Sequence, residues 1–212
     1  MKKPYIICHM MMSVDGRIDC GMTVKIAGSN EYYETLRALD VPTNLSGRVT
    51  AQLELAEPGV FTAKNPTEIV RKEGFSKKRS ANDYQVVVDT NGTLLWYDDR
   101  NGDSPLIVIM STEVTKEYLA YLDSLHISWI VCGEKHIDLH KAVEILHTEF
   151  GVEHMAIVGG GTINAAFLNA GLLDEVSILL GPGIDGRKGM TADLDTAMLR
   201  HIVLNLRIGC PS

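Results

Sequence analysis

The chain has 212 residues, 45% hydrophobic and 22% charged, with a net charge of −7. That length suits one large domain or two small ones, and it buries a core without disulfide or metal staples. The acidic balance excludes nucleic acid and anionic membranes as expected partners, and no apolar stretch is long enough to span a bilayer.

In chain order, Met1-Lys2-Lys3-Pro4 leads directly into an apolar run, Tyr5 to Met11, which predicts a first strand and is too short for a signal-peptide core. Ser13-Val14-Asp15-Gly16-Arg17-Ile18 predicts a turn centred on Asp15-Gly16. A helix follows, capped by Ser29 or Asn30, with Tyr32, Tyr33, Leu36 and Leu39 on its apolar face. Asn44 to Val49 reads as a short strand and Ala51 to Ala56 as a helical turn. Pro58 to Tyr84, rich in breakers, reads as a surface excursion with a short helix at Thr67 to Lys72. Its basic run, Lys77-Lys78-Arg79, reads as a solvated face.

Beyond it, strands are expected at Gln85 to Asp89, Leu106 to Met110, Ile127 to Cys132, Met155 to Val158, Val176 to Leu180 and Leu199 to Ile208. Helices are expected at Glu113 to Leu125, Asp138 to Phe150 and Thr162 to Ala170. This alternation predicts an α/β fold with a largely parallel sheet, preferably in one domain. The cysteines, Cys8, Cys20, Cys132 and Cys210, form no C-x-x-C, and two sit in apolar, strand-like contexts. Reduced, buried thiols and a cytoplasmic location are therefore expected.

Most of the chemistry points to one stretch. Met155 to Val158 breaks into Gly159-Gly160-Gly161-Thr162, and a helical pattern through Ile163 and Asn164 follows. Glycines let a ligand approach the backbone, and the next helix opens with free N–H groups that suit a phosphate. Asn164 replaces the third glycine of a dinucleotide fingerprint, and too little chain remains for a Rossmann sheet. No Gly-Lys-Ser/Thr follows, which excludes a P-loop.

Two further stretches match a cofactor site, Gly47-Arg48-Val49-Thr50 and Val86-Val87-Val88-Asp89-Thr90. Ser46, Thr90 and Val158 would all lie at carboxyl ends of strands, where open α/β sheets bind ligands. No metal site is expected. His136-Ile137-Asp138-Leu139-His140 lacks the glutamate of a zinc protease, and most of the seven histidines read as surface or helix-end residues. No Gly-x-Ser-x-Gly occurs, and the acidic pairs Asp98-Asp99 and Asp174-Glu175 read as turn caps.

These motifs, in their order, resemble the RibD C-terminal family, the reductase domain of bacterial riboflavin biosynthesis. Met11 to Ile18, Leu36-Arg37, Gly47 to Thr50, Val87 to Thr90, Val158 to Thr162, Leu172 to Glu175 and Gly181 to Gly186 carry the resemblance over nearly the whole chain. It implies a dihydrofolate-reductase-like three-layer sandwich, with a central mixed, mostly parallel sheet flanked by helices. It implies hydride transfer from NADPH to a phosphorylated ribosylamino-pyrimidine, and a homodimer.

By the same resemblance, Met11, Gly47, Thr50, Glu54, Thr90, Gly159, Gly160, Gly161, Thr162, Ile163 and Asn164 would contact NADPH. Asp15, Arg37 and Val158 would lie on the substrate side, Arg37 suiting a phosphate and Asp15 shaping the loop beside the nicotinamide. No proton donor is identified. Val158 stands where the family commonly has a glutamate that holds the pyrimidine. Other readings stay open beside it: a reductase of another small carbonyl, imine or pterin-like compound, a dihydrofolate reductase, and a non-catalytic NADPH-binding protein.

Overall fold

The computed structural model describes residues 2–18, 25 and 28–187. Nine strands and five helices lie among them. The chain divides into two compact units. Of the described residues, one contains 2–4 and Pro42–Glu153; the other contains those of Tyr5–Val41 and residues 154–187. The middle of the chain, with the residues just before Tyr5, thus forms one unit, and the stretches on either side of the middle form the other.

The middle unit has β2 (Thr43–Gly47), β3 (Gly74–Ser76), β4 (Gln85–Val88), β5 (Arg100–Asn101), β6 (Ser104–Met110) and β7 (Ser128–Val131). Its strand order is β3-β7-β6-β4-β2. β2, β4, β6 and β7 run parallel; β3 is antiparallel to β7, and β5 to β6. The valines and isoleucines of β4 and β6 are buried on both faces, as parallel strands require. Its helices are α2 (Arg48–Glu54), α3 (Lys116–Ser124) and α4 (Leu139–Thr148). α3 starts three residues later than the sequence pattern suggests, because the Thr115 hydroxyl caps it by accepting from Tyr118 N–H at 3.2 Å. Asp138 caps α4 in the same way at 3.1 Å from Lys141 N–H.

The stretch from Pro58 to Tyr84 departs from its expected form. Thr67 to Lys72 is not helical; Ile69 bridges Thr115, and β3 forms beyond it. Phe61 packs against Tyr118 and Tyr121, with ring centroids 5.0 and 5.2 Å away. The basic run is not merely solvated. Lys77 Nζ donates to the Glu149 carbonyl, Lys78 pairs with Asp123, and Arg79 pairs with the buried Asp99. The short β5 arm was also missed. Its signal was present as Asn101-Gly102, with Gly102 at φ +61° between two antiparallel strands.

The flanking unit has β1 (Tyr5–Met12), β8 (His154–Gly159) and β9 (Glu175–Leu180), with α1 (Ser29–Ala38) and α5 (Gly161–Asn169). β1 pairs in parallel with both β8 and β9. Alternation along β1 separates two apolar clusters. Cys8 and Met10 pack with Ile18 and Val176, while Ile7 packs with Val41, Ala156, Val158 and with Leu36 and Leu39 of the α1 region. The helix cap is Gly28 at φ +121°, not Ser29 or Asn30. Tyr33 is exposed rather than on the apolar face. Cys8 and Cys132 are buried free thiols, as expected, and burial pushes the Cys132 thiol up to about 12. The strand expected at Leu199 to Ile208 lies outside the described residues, as do Cys20 and Cys210.

Candidate functional site

The expected site residues divide between the two units. Gly47, Thr50, Glu54 and Thr90 belong to the middle unit; Met11, Asp15, Arg37 and Val158 to Asn164 belong to the flanking one.

In the middle unit, the register Gly47↔Val88 sets the carboxyl ends of β2 and β4 side by side. Gly47 therefore neighbours the segment Asp89-Thr90. Gly47 is extended, at φ −82° and ψ 167°, and caps α2. Thr50 is buried in α2, whereas Glu54 at its end is exposed. Ser46 Oγ is buried and has no hydrogen-bond partner among the described residues. Such a hydroxyl at a strand's carboxyl end calls for a polar partner.

Asp89 and Thr90 behave differently. The buried Asp89 carboxylate accepts from Thr93 N–H at 2.6 Å, Leu94 N–H at 2.9 Å and the Tyr118 hydroxyl at 3.4 Å. It is consumed in holding the turn. The Thr90 carbonyl accepts from both the N–H and the hydroxyl of Ser111, while its half-buried side chain makes no such bond among the described residues.

In the flanking unit, β8 ends at Gly159 and Gly160 turns at φ +99°, ψ 116°, before α5. A side chain would strain that backbone. The Gly160 carbonyl accepts from Ile163 N–H at 3.1 Å and Asn164 N–H at 3.0 Å. The N–H groups of Gly161 and Thr162 precede the first helical bond and lie at the positive end of the dipole. Thr162 is exposed; Ile163 and Asn164 are buried, with their N–H groups used inside the helix. An anion at this point would therefore meet Gly161 and Thr162.

The carboxyl ends of β1 and β9 share an edge with that of β8. Asp15 joins the segments that follow β1 and β9. Its carboxylate accepts from the Ser13 hydroxyl at 2.7 Å, Asp185 N–H at 2.9 Å and Gly186 N–H at 3.0 Å. Those bonds, the Ser13 one foremost, hold its carboxyl well below the usual carboxylate range. Gly181 N–H to the Met12 carbonyl and Val14 N–H to the Gly183 carbonyl, both at 2.8 Å, complete the clasp. Met11 is buried nearby, and a Cβ on Gly28 would stand 3.2 Å from its Cε.

Arg37 is exposed in the last turn of α1. Val158 is half-buried in the cluster that receives Leu36 and Leu39. An acid at Val158 would face an apolar surrounding.

The sequence reading did not single out His9, which is fully buried in β1. Its Nδ1 lies 3.0 Å from Ser177 Oγ and its Nε2 3.2 Å from the Tyr32 carbonyl. Desolvation lowers its pKa, which keeps the ring neutral at neutral pH. The signal was available: a lone imidazole in the middle of the run Tyr5 to Met12. Among the described residues, no three ligating side chains cluster as a metal site.

Comparison with known proteins identifies the family. The pattern of the RibD C-terminal domain matches residues 4–207. The 2,5-diamino-6-ribosylamino-4(3H)-pyrimidinone 5′-phosphate reductase of Methanothermobacter thermautotrophicus is 28% identical, over 87% of this chain and 80% of that protein. Its namesake from Archaeoglobus fulgidus is 27% identical, over 89% and 85%. Among solved structures, a pyrimidine reductase-like protein of Corynebacterium diphtheriae aligns with a TM-score of 0.62 at 16% identity, over 91% of this chain and 79% of that one. Acinetobacter baumannii RibD aligns with a TM-score of 0.59 at 18% identity, over 97% of this chain but only 52% of its own. The chain therefore spans about half the length of that RibD. By sequence pattern and by its α/β fold, the chain belongs to the RibD C-terminal domain family.

Proposed function

We propose that this chain is an NADPH-dependent reductase of riboflavin biosynthesis. Its substrate would be a phosphorylated ribosylamino-pyrimidine of the kind named for its archaeal relatives. The observation that carries the reading is the glycine-opened start of α5, where Gly161 and Thr162 present N–H groups at the carboxyl end of β8. NADPH, when bound, supplies a hydride to the sugar carbon that bears the amino nitrogen, and with a proton the ribosyl group becomes ribityl.

The residues of the chain bind and orient. Gly161 and Thr162 suit a cofactor phosphate. The unpartnered Ser46 hydroxyl and the buried Thr50 fit a ligand with polar oxygens. Met11 offers an apolar wall that excludes water from a nicotinamide. Asp15 holds the loop after β1 still, so that donor and acceptor keep contact distance. Arg37 offers an exposed guanidinium to the substrate phosphate. We further propose that the protein works in the cytoplasm as a homodimer; no described helix is long and apolar enough to cross a membrane.

The test is direct. Purified protein, NADPH and the diaminopyrimidinone ribosyl phosphate should give cofactor oxidation and a product heavier by two hydrogens. Absence of both at high enzyme concentration overturns the proposal. The apolar packing around Val158 favours a second reading, a non-catalytic NADPH-binding protein. It predicts cofactor binding with no turnover of any pyrimidine.

A further inference from the structure

His9 lies in mid-β1, on the face that carries Ile7 toward the α1 cluster. The register pairs it with Ser177 of β9, and continuing the β1–β8 register by one residue sets it beside Val158. A buried imidazole is costly unless both nitrogens are partnered. Here both are, and the partners dictate the tautomer. A carbonyl only accepts, so Nε2 carries the proton and donates to Tyr32 O; Nδ1 then accepts from the Ser177 hydroxyl.

The Tyr32 carbonyl belongs to the backbone of α1, so this bond holds the helix itself rather than a movable side chain. The Tyr32 ring adds a stack on His9, at 4.7 Å and 15° between planes. Leu36 and Leu39 add apolar contacts, and the Tyr32 hydroxyl donates to the His9 carbonyl at 3.5 Å, a bond carried by a movable side chain. Apolar contacts are non-directional and let a helix slide or rotate; a hydrogen bond to its backbone does not. Arg37 follows Tyr32 by five residues, within about 8 Å along the axis.

We propose that His9 is the positioning residue that sets α1 in register on its sheet, and through α1 fixes where Arg37 stands. The tether stands on geometry alone; its catalytic consequence rests on the reading of Arg37 as a substrate-phosphate residue.

Nitrogen NMR of the labelled imidazole at neutral pH should find the proton on Nε2; a proton on Nδ1 overturns the tether. In His9→Phe, hydrogen exchange of the α1 amides should quicken about tenfold, the loss of one buried hydrogen bond. His9→Gln, which keeps a donor, should restore much of the protection. Unchanged exchange in His9→Phe, or equal exchange in both variants, overturns it. Should the Phe variant fail to fold, His9→Asn replaces it, since its shorter amide no longer reaches the Tyr32 carbonyl.

In turnover, His9→Phe should raise the substrate KM severalfold with little change in kcat, and adding Arg37→Met should raise it no further. Additive effects overturn the link to Arg37. An unchanged KM in Arg37→Met alone also overturns that link and the reading of Arg37, while α1 exchange still decides the tether.

Discussion

The carboxyl ends of β4 and β8 look alike in sequence: an apolar strand, then a polar or glycine turn. The structure closes one and opens the other. After β4, Asp89 takes the N–H groups of Thr93 and Leu94 and the Tyr118 hydroxyl. Gly92, at φ +66°, lies so close to α3 that a Cβ would run into the Tyr118 ring and stand 2.6 Å from Cγ2 of Val114, just before the helix. After β8, no side chain caps α5, and Gly161 and Thr162 keep their N–H groups free of helical bonds. A polar residue at a strand end is therefore weak evidence of a ligand when neighbouring backbone donors can use it. Donors left over at a helix start are stronger evidence.

The sharpest way to break this contrast is Gly160→Val. At φ +99° the branched side chain must distort the turn and crowd the open N–H groups. NADPH affinity should fall at least about hundredfold, or ~2.7 kcal/mol, by calorimetry; retained affinity would remove the open strand end from the cofactor site. Asp89→Ala should do the opposite. It leaves the N–H groups of Thr93 and Leu94 and the Thr93 hydroxyl without their acceptor and should cost about 3 kcal/mol in denaturant melts. The cofactor affinity of the folded fraction should not change, and a parallel loss would erase the distinction between the two ends.

Smaller effects sharpen the picture at the flanking unit. Val158→Glu places an acid beside Ile7, Leu36 and Leu39 and should cost about 1–2 kcal/mol. If position 158 faces the pyrimidine, the same change should also lower the substrate KM. An unchanged KM would take position 158 out of the substrate site.

His9 contributes a pH dependence. Its folded pKa lies below the ordinary 6.5, so the unfolded chain binds the proton more readily. Its stabilising effect is complete above pH 6.5 and is lost as pH falls from there toward the folded value, by at most about 1.4 kcal/mol per pH unit. Thermal melts of His9→Gln should lack that slope, and an equal slope would assign it to another group.

Much of the fold was legible because strands and helices announce themselves locally. The buried runs of β1, β4, β6 and β8 are apolar in sequence, and α4 shows its face in Val143 and Leu146. β3 was not legible: Gly74-Phe75-Ser76 has no strand pattern and is extended only because β7 offers it an edge. The Asp15 clasp was half legible. The turn Asp15-Gly16 and the segment Gly181 to Gly186 each stood out, yet nothing local says that a carboxylate reaches N–H groups 170 and 171 residues away.

The sequence by itself determined the alternation of strands and helices, the family and the glycine-opened helix, because each depends on residues within a few positions of one another. The tertiary structure alone decided which polar groups remain available. Asp89 is consumed by its turn, Asp15 by its clasp and His9 by Ser177 and α1, while Ser46 keeps a buried hydroxyl without a partner among the described residues. Every buried donor or acceptor must find a partner, and which one it finds depends on chain segments far apart in sequence.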